Sequence, residues 1–297
     1  MKKSKIIIDT DVGDDIDDAL AIVLALESPE LDVVGITTVF RNVVARAKLA
    51  ARLVKMAGRE DIPVFAGIGS PIINKVNLND IPCQYSEEAD GKERGYGTNG
   101  IDFIINTVMD SEEGITLAPI GPLTNIAVAI LIEPRLKDKV KEIVLMGGCF
   151  YNHCNEWNVR CDPEAARIVF DSGIPIKAIG LDVTFKCRMS KEDVERLEAY
   201  GKPSAKYLPE LIRRWRKGTD KCPIMHDPLA ICAVFDDKIL EMRQEDIVVE
   251  TQGEFMRGAT YNRSGLAQGE SVHSAIKVAR TVDPEGFIKL FMERTCI

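Results

Sequence analysis

The aspartate-rich segment near the start of the chain is the part of the sequence best suited to chemistry. Six aspartates fall within ten residues, directly after an apolar run at 6–8, and they are Asp9, Asp11, Asp14, Asp15, Asp17 and Asp18. Crowded carboxylates repel one another unless a cation lies among them, and hard divalent cations prefer oxygen ligands. The segment therefore predicts a divalent cation site with a carboxylate available for proton transfer.

Two other interpretations of this segment account for it less well. Asp17 and Asp18 could simply cap a helix, because carboxylates favour the free N–H groups and positive dipole at a helix start. This does not account for Asp9 and Asp11, which stand where a strand leaves its sheet, the end at which α/β sheets bind ligands. An EF-hand is excluded because its twelfth position needs Glu, and counting from Asp9 gives Leu20.

Composition is that of an ordinary globular protein. The chain has 297 residues, of which 45% are hydrophobic and 28% charged, and its net charge is -8, a poor match for nucleic acid or an anionic membrane. No apolar stretch approaches the ~18–20 residues of a membrane helix, and the run 6–8 is too short for a signal-peptide core. We therefore expect a cytoplasmic protein. The eight cysteines include no C-x-x-C pair, which predicts reduced, mostly buried thiols.

Strand-like apolar runs alternate with helical stretches along the chain. The predicted strands span 5–9, 31–39, 62–66, 115–120, 142–146 and 176–182, and the predicted helices span about 17–27, 43–57, 100–110, 123–132, 163–172 and 191–199. This alternation predicts a single α/β domain over 1–297 with a doubly wound, mostly parallel sheet. A long loop at 69–97 is typical of a lid or binding loop, and a helical insert is expected at about 203–235.

Polar residues follow several of the predicted strands. They include Asn42 after the second strand, Asn125 after the fourth and Asn155 to Asn158 after the fifth. Each has a structural explanation by itself, since Asn42 and Asn125 could cap helices and Asp162 before Pro163 is typical of a helix start. Their convergence at one edge of the sheet predicts a binding site.

Six motifs in this order resemble the nucleoside hydrolases of the inosine–uridine type. They are IIDTD at 7–11, GITTV at 35–39, IGPLTNIA at 120–127, VLMGG at 144–148, EWN at 156–158 leading into DPEAA at 162–166, and HDP at 226–228. A weaker similarity follows at 282–287. The resemblance implies hydrolysis of the N-glycosidic bond of a ribonucleoside to free base and ribose, by an enzyme that assembles as a homodimer or homotetramer.

The resemblance also implies a Ca²⁺ ion and its ligands. Asp11 and Asp227 would each give a carboxylate oxygen, Asp18 would bind bidentately, and Thr124 would offer its backbone carbonyl. Asp17 would take the proton of a water held on the ion. Oxygen-only ligands suit Ca²⁺, and a nearby cation keeps carboxylates ionised so that one of them can act as a base.

The substrate-binding residues follow from the same resemblance. Breaking a glycosidic bond passes through an oxocarbenium-like state, so the site must stabilise the sugar and assist the departing base. Glu156 and Asn158 would hold ribose hydroxyls. His226 would protonate the leaving base, with a supporting role beside Asp227 as the alternative.

The chain departs from the common family pattern in three places. Two extra residues separate Asp11 from the pair Asp17–Asp18, so Asp14 or Asp15 could also reach the site. Many relatives have a His-Gly motif over the base where this chain has Tyr96, which could stack on it. The loop before Glu156 is short, so Asn152 or Asn155 would replace a ribose-binding Asn; Asn42 and Trp157 are further candidates for substrate contact, although Trp157 could equally be a core residue.

Two rival functions are compatible with the same residues. An aspartyl-phosphate phosphatase also begins with Asp-x-Asp after its first strand, but it needs a downstream Lys and Ser or Thr at strand ends, and the sequence shows no clear pair of this kind. A calcium-containing nucleoside or sugar binding protein would keep the ion and Glu156 without turnover. Phosphate release would support the first, and tight binding without hydrolysis would support the second.

Overall fold

A central eight-stranded sheet organises the molecule. The computed structural model describes residues 3–152, 154–236, 238–264 and 275–297. The sheet order is β3-β2-β1-β4-β5-β6-β10-β7, with a separate two-stranded sheet of β8 and β9. The strands are β1 Ser4–Thr10, β2 Leu31–Thr38, β3 Val64–Ala66, β4 Ile115–Pro119, β5 Val140–Met146, β6 Ile176–Ile179, β7 Leu240–Gln244, β8 Ile247–Val249, β9 Thr260–Asn262 and β10 Ile276–Val282.

The sheet is parallel apart from its last pair. In the described part of the chain, each neighbouring pair of the large sheet is parallel except β7 with β10. The central strand β1 lies between β2 and β4, and its residues Ile6, Ile7 and Ile8 are fully buried. Strands covered on both faces have continuous apolar runs, which is why this segment does not alternate. The predicted α/β class with a mostly parallel sheet is confirmed.

Helices cover both faces of the sheet. One face packs against α1, α2, α12 and α13 to form the first core, and the other packs against α4, α5 and α8 to form the second. The helices are α1 Asp17–Glu27, α2 Val43–Met56, α3 Glu87–Asp90, α4 Gly100–Met109, α5 Thr124–Ile132, α6 Leu136–Lys139, α7 Trp157–Cys161, α8 Pro163–Phe170, α9 Leu181–Thr184, α10 Lys191–Tyr200, α11 Leu208–Arg216, α12 His226–Phe235 and α13 Pro284–Thr295. None of the helices in these described ranges is both long enough and apolar enough to cross a bilayer.

The six strands and six helices predicted from the sequence all form, with changed ends. The third strand is shorter than predicted, at Val64–Ala66, and the sixth ends at Ile179 instead of residue 182. The sixth strand ends early because α9 begins at Leu181, and the Asp182 carboxylate then accepts N–H groups of Phe150 and Tyr151. The strands β7–β10 and helix α13 were not predicted.

The segment expected to be a helical insert belongs partly to the core. A single 3₁₀ turn at Pro203–Ala205 and α11 are followed by α12. Helix α12 contacts β4, β5 and β6, and its residues Ala230, Ile231 and Cys232 are fully buried. It is apolar on all sides because it lies between the sheet and α1, so its first turn is held firmly at the edge of the sheet.

The prediction of uniformly reduced cysteines is wrong at one pair. Cys149 and Cys154 form a disulfide, with Cα atoms 6.0 Å apart. The chain turns back after Gly147 and Gly148, which brings two residues five positions apart together. The other six cysteines are free, and four of these are buried. The chain has two histidines besides His226, and these, His153 and His273, lie outside the described residues.

Helix α13 should contribute strongly to stability, although the sequence pattern did not reveal it. Phe291 on this helix is fully buried in the first core. We expect Phe291→Ala to lower the free energy of unfolding by about 3–5 kcal/mol, because the truncation leaves a cavity in a packed core. Chemical denaturation followed by circular dichroism measures this loss.

Phe255 provides the control for this substitution, since 83% of its surface is exposed. Phe255→Ala should change the free energy of unfolding by no more than about 0.5 kcal/mol. Equal effects of the two substitutions would contradict the packing of α13 described above.

Candidate active site

A cavity of about 420 Å³ opens at the carboxyl ends of the central strands. Strand order reverses between β1 and β4, and ligands of open α/β sheets bind at such a switch point. Seven carboxylate residues line the cavity: Asp11, Asp14, Asp15, Asp17, Asp18, Glu156 and Asp227. The apolar walls come from Ile120, Met146, Trp157, Leu181 and Phe185.

Three of these carboxylates form a compact buried group. One oxygen from each of Asp17, Asp18 and Asp227 lies within 4.8 Å of the others. Asp17 and Asp18 are the first residues of α1, and Asp227 is the second residue of α12. The two helix starts therefore face each other, and their positive dipole ends partly offset the charge they carry. The Asp227 N–H also donates to the Asp17 carboxylate at 3.3 Å.

The electrostatics of this group are those of a site that could hold a cation. Burial raises the pKa of Asp17, Asp18 and Asp227 well above its usual value, and the neighbouring carboxylates raise it further. Burial likewise raises the pKa of Asp11 to about 6, opposed by the positive charge of Arg46. A divalent cation would remove this cost. The donors are all oxygens, which fits Ca²⁺ or Mg²⁺ better than the N and S ligands typical of zinc.

The two further aspartates of the segment differ in their surroundings. Asp14 forms an ion pair with Arg46 at 2.7 Å, and the Asp15 carboxylate accepts the N–H of Ile16 at 2.7 Å. Asp18 is instead buried and accepts the Thr10 hydroxyl at 2.5 Å. These contacts favour Asp17 and Asp18, the pair that opens α1, as the residues facing the cation.

Asp9 lies beneath the cavity and does not line it. Its Oδ1 accepts the Thr37 hydroxyl at 2.6 Å and the Asn125 side-chain amide at 2.7 Å. Burial raises the pKa of Asp9 to about 7. It therefore links the ends of β1 and β2 to α5, and the sequence could not distinguish it from the aspartates of the site.

Glu156 and Asn158 form the opposite side of the cavity. Glu156 caps α7, with Oε1 accepting from the Asn158 N–H at 2.7 Å and Oε2 from the N–H groups of Val159 and Gly148. Burial raises the pKa of Glu156 to about 7. The Asn158 amide donates to the carbonyls of Ile120 at 2.8 Å and Met146 at 3.2 Å. Both side chains are thus fixed by the backbone around them.

His226 is the first residue of α12 and lines the same cavity. Its Nδ1 lies 2.6 Å from the Thr184 hydroxyl, and its ring meets Phe185 edge-on at 5.2 Å between centroids. Burial lowers the pKa of His226 to about 4, so the ring is neutral near pH 7. Because Thr184 occupies Nδ1, the ring nitrogen left for a ligand is Nε2.

Trp157 is a cavity-wall residue with 45% of its surface exposed, so it is not part of the core. The guanidinium groups of Arg41 and Arg160 lie 6.0 Å and 5.0 Å from the centre of its ring. Such cation–π contacts orient the indole at the rim of the cavity.

Four other predicted residues lie away from the cavity lining within the described ranges. Asn42 caps α2 by accepting the Ala45 N–H at 3.0 Å, and Tyr96 packs against the first core. Asn152 donates to Asp182 at 2.8 Å, and the Thr124 hydroxyl donates to Asp162 at 2.6 Å.

Each of these four side chains is occupied by a local partner or by core packing. Of the two asparagines considered for the short loop, it is Asn155 that lines the cavity. Thr184 and Phe185 were missed, because nothing in the local sequence relates them to the distant His226.

Comparison with known proteins shows which family the chain resembles. The family described as inosine-uridine preferring nucleoside hydrolase matches residues 6–289. A probable uridine nucleosidase 2 from Arabidopsis thaliana is 35% identical over 98% of this chain and 97% of its own length. A pyrimidine-specific ribonucleoside hydrolase from Escherichia coli O1:K1 is 34% identical over 97% of each chain.

Solved structures give the same result. A plant nucleoside hydrolase has a TM-score of 0.85 at 32% identity, and covers 98% of both chains. A purine-preferring ribonucleoside hydrolase from Gardnerella vaginalis has a TM-score of 0.85 at 28% identity, with 98% coverage of both chains. These similarities confirm the resemblance seen in the sequence and do not favour a phosphatase or a non-catalytic binding protein. The chain belongs to the inosine-uridine preferring nucleoside hydrolases, a family of enzymes.

Proposed function

We propose that this enzyme hydrolyses the N-glycosidic bond of ribonucleosides, releasing free base and ribose, with a Ca²⁺ ion in the carboxylate group. The observation that carries the proposal is the buried group of Asp17, Asp18 and Asp227 at the bottom of a cavity that Glu156 and Asn158 also line. A cation and a sugar would bind side by side there. The substrate class is ribonucleosides in general, since the names of the relatives include both pyrimidine and purine specificities.

The predicted ligands of the ion are Asp11, Asp18 and Asp227, with the backbone carbonyl of Thr124. Asp11 lines the cavity beside the compact group. When bound, the cation would supply a polarised water and contacts to the ribose hydroxyls. Homodimeric or homotetrameric assembly and a cytoplasmic location belong to the same proposal and are supported by the family resemblance and the composition alone.

Asp17 is the proposed general base. It is held at the first position of α1, and its Oδ2 is oriented by the Asp227 N–H. A carboxylate beside a cation remains ionised, so it can accept a proton from the attacking water. Asp17 thus needs no further side chain to fix its direction.

Glu156 and Asn158 are proposed to bind the ribose hydroxyls. Because both are fixed by backbone hydrogen bonds, they meet the sugar without reorganisation. The negative charge of Glu156 would also stabilise positive charge that develops on the ring in the transition state. Trp157 would form the wall beside the sugar, in keeping with its place in the lining.

His226 is proposed to donate a proton from Nε2 to the departing base. The transfer uses the protonated ring, a minor form near pH 7 because burial lowers the pKa of His226 to about 4: Nδ1–H then donates to the Thr184 hydroxyl, Nε2 gives its proton to the base, and the ring is left neutral. Phe185 limits rotation of the ring from the other side. The positions of Asn42, Tyr96 and Asn152 give no support to a direct substrate contact.

A panel of purine and pyrimidine ribonucleosides tests the function directly. We expect several of them to release free ribose. This release should stop after exhaustive treatment with EDTA, and it should be restored more fully by Ca²⁺ than by Mg²⁺. The larger ion accommodates more oxygen ligands in irregular geometry. A reducing-sugar assay measures the release, and undiminished activity after chelation would refute the metal site. Phosphate release from sugar phosphates in its place would support the phosphatase alternative.

Asp17→Asn should remove the general base and keep the shape of the site. We expect kcat to fall by about 10²- to 10⁴-fold, the usual contribution of a positioned base, with an unchanged circular dichroism spectrum. Asp171→Asn is the matched control, since Asp171 is exposed and forms a surface ion pair with Arg167 at 3.2 Å. If Asp17→Asn had the same kcat as Asp171→Asn, the proposed role of Asp17 as the general base would be refuted.

Thr184→Val should disturb the orientation of His226 without changing the cavity volume greatly. Losing the hydroxyl leaves a buried ring nitrogen unpaired, so we expect kcat to decrease about tenfold with little change in KM. Thr184→Ser keeps the hydroxyl and should retain most of the activity. Steady-state kinetics on both variants check this. An equal decrease of kcat in Thr184→Val and Thr184→Ser would indicate that packing, and not the hydroxyl, is the cause.

A further inference from the structure

A fully buried arginine lies behind the carboxylate loop. Arg46 on α2 is only 1% exposed, and it is the largest of the fully buried side chains in the described residues. Buried charges persist only where hydrogen bonds and opposite charges compensate the loss of water. The family motifs that identified the site do not include this residue, so its surroundings have to explain it.

The guanidinium group binds two strand-end loops at once. Its Nη1 donates to the backbone carbonyls of Asp11 and Val12, the latter at 3.1 Å. Its Nη2 donates to the Asp14 carboxylate at 2.7 Å, and its Nε donates to the Phe40 carbonyl at 2.8 Å. Three acceptors therefore belong to the loop after β1 and one to the loop after β2.

Both loops have features that need such support. The first carries Asp11 and leads into Asp17, so its path sets the spacing of the carboxylates. In the second, Phe40 and Arg41 have φ values of 68° and 57°, a left-handed conformation that is costly for residues other than glycine. The contact from Arg46 to the Phe40 carbonyl stabilises this turn, and the planar fork of the group fixes both loops in one arrangement.

We propose that Arg46 is a positioning residue for the cation site. It acts by fixing the loop at 11–16, which carries Asp11 and leads directly into Asp17 and Asp18. The inference rests on the proposed function in taking these carboxylates as metal ligands. A different role is possible for the same charge, namely simple neutralisation of the carboxylates. The two roles predict opposite effects on metal affinity when the charge is removed. If Arg46 acted through its charge alone, it would repel the bound cation, and removing the charge would tighten metal binding.

Two substitutions separate the roles. Arg46→Lys keeps the charge but cannot reach four acceptors with a single amine, and Arg46→Met removes the charge with a similar stem. Positioning predicts that both variants bind Ca²⁺ about 10- to 100-fold more weakly, the usual cost of losing an outer contact of a metal site. Isothermal titration of metal-free protein with CaCl₂ measures this. Unchanged affinity in Arg46→Lys together with tighter binding in Arg46→Met would overturn the proposal.

Arg52 supplies the matched control on the same helix. It also pairs with a buried carboxylate and a backbone carbonyl, those of Asp90 and Ala89, but far from the cavity lining. Arg52→Met should lower the melting temperature and leave the Kd for Ca²⁺ unchanged. A decrease in affinity equal to that of the Arg46 variants would reduce the role of Arg46 to general stability and overturn the inference.

Hydrogen exchange distinguishes failure of this inference from failure of the metal site. In metal-free protein, the Arg46 variants should show faster amide exchange at 11–16 and 40–41 than the wild type, and the Arg52 variant should not. If the wild type does not bind Ca²⁺, the metal site itself is refuted, and exchange still decides whether Arg46 fixes the loop. If Arg46→Met does not fold, Asp14→Asn weakens one of its contacts; unchanged exchange at 11–16 in that variant would overturn the inference.

Discussion

The mutual repulsion of three buried carboxylates is the constraint on which the rest of the structure depends. Asp227 lies more than two hundred positions after Asp17 and Asp18 in the sequence, yet one carboxylate oxygen from each of the three lies within 4.8 Å of the others. Isolated, such a group is strongly unfavourable in a protein interior. The starts of α1 and α12 hold it together because both helices are packed into the same core. A cation bound among the three carboxylates would offset this repulsion.

The order of the strands explains where this arrangement lies. From β1 the chain builds the sheet outward through β2 and β3, then returns to place β4 on the other side of β1. Loops that leave β1 and β4 consequently diverge and leave a gap. The carboxylates enter this gap from one side, and Glu156 and Asn158 enter it from the side of β5. The Asn158 amide donates to the carbonyls of Ile120 and Met146 and so connects the ends of β4 and β5.

Much of the fold could be predicted from the sequence, because parallel strands buried on both faces leave continuous apolar runs bounded by turns. The strands β7–β10 were missed, since their burial is irregular and their pairing is set by distant contacts. Within the site, residues in motifs such as Asp17, Glu156 and Asp227 could be found. Asn152 could not be separated from Asn155, and Thr184 and Arg46 were invisible, because only the folded backbone decides which side chain a short loop turns inward.

The first turn of α12 carries His226 and Asp227 as consecutive residues, and this adjacency couples the two roles proposed for them. The helical rise of ~1.5 Å per residue fixes the spacing between the proposed cation ligand and the proposed donor to the leaving base. Any shift of the helix would misalign both residues together. Leu181, the first residue of α9, and Phe185, which directly follows that helix, line the same cavity, and Phe185 contacts the His226 ring. The wall contributed by α9 is therefore in contact with the residue proposed to act on the leaving base.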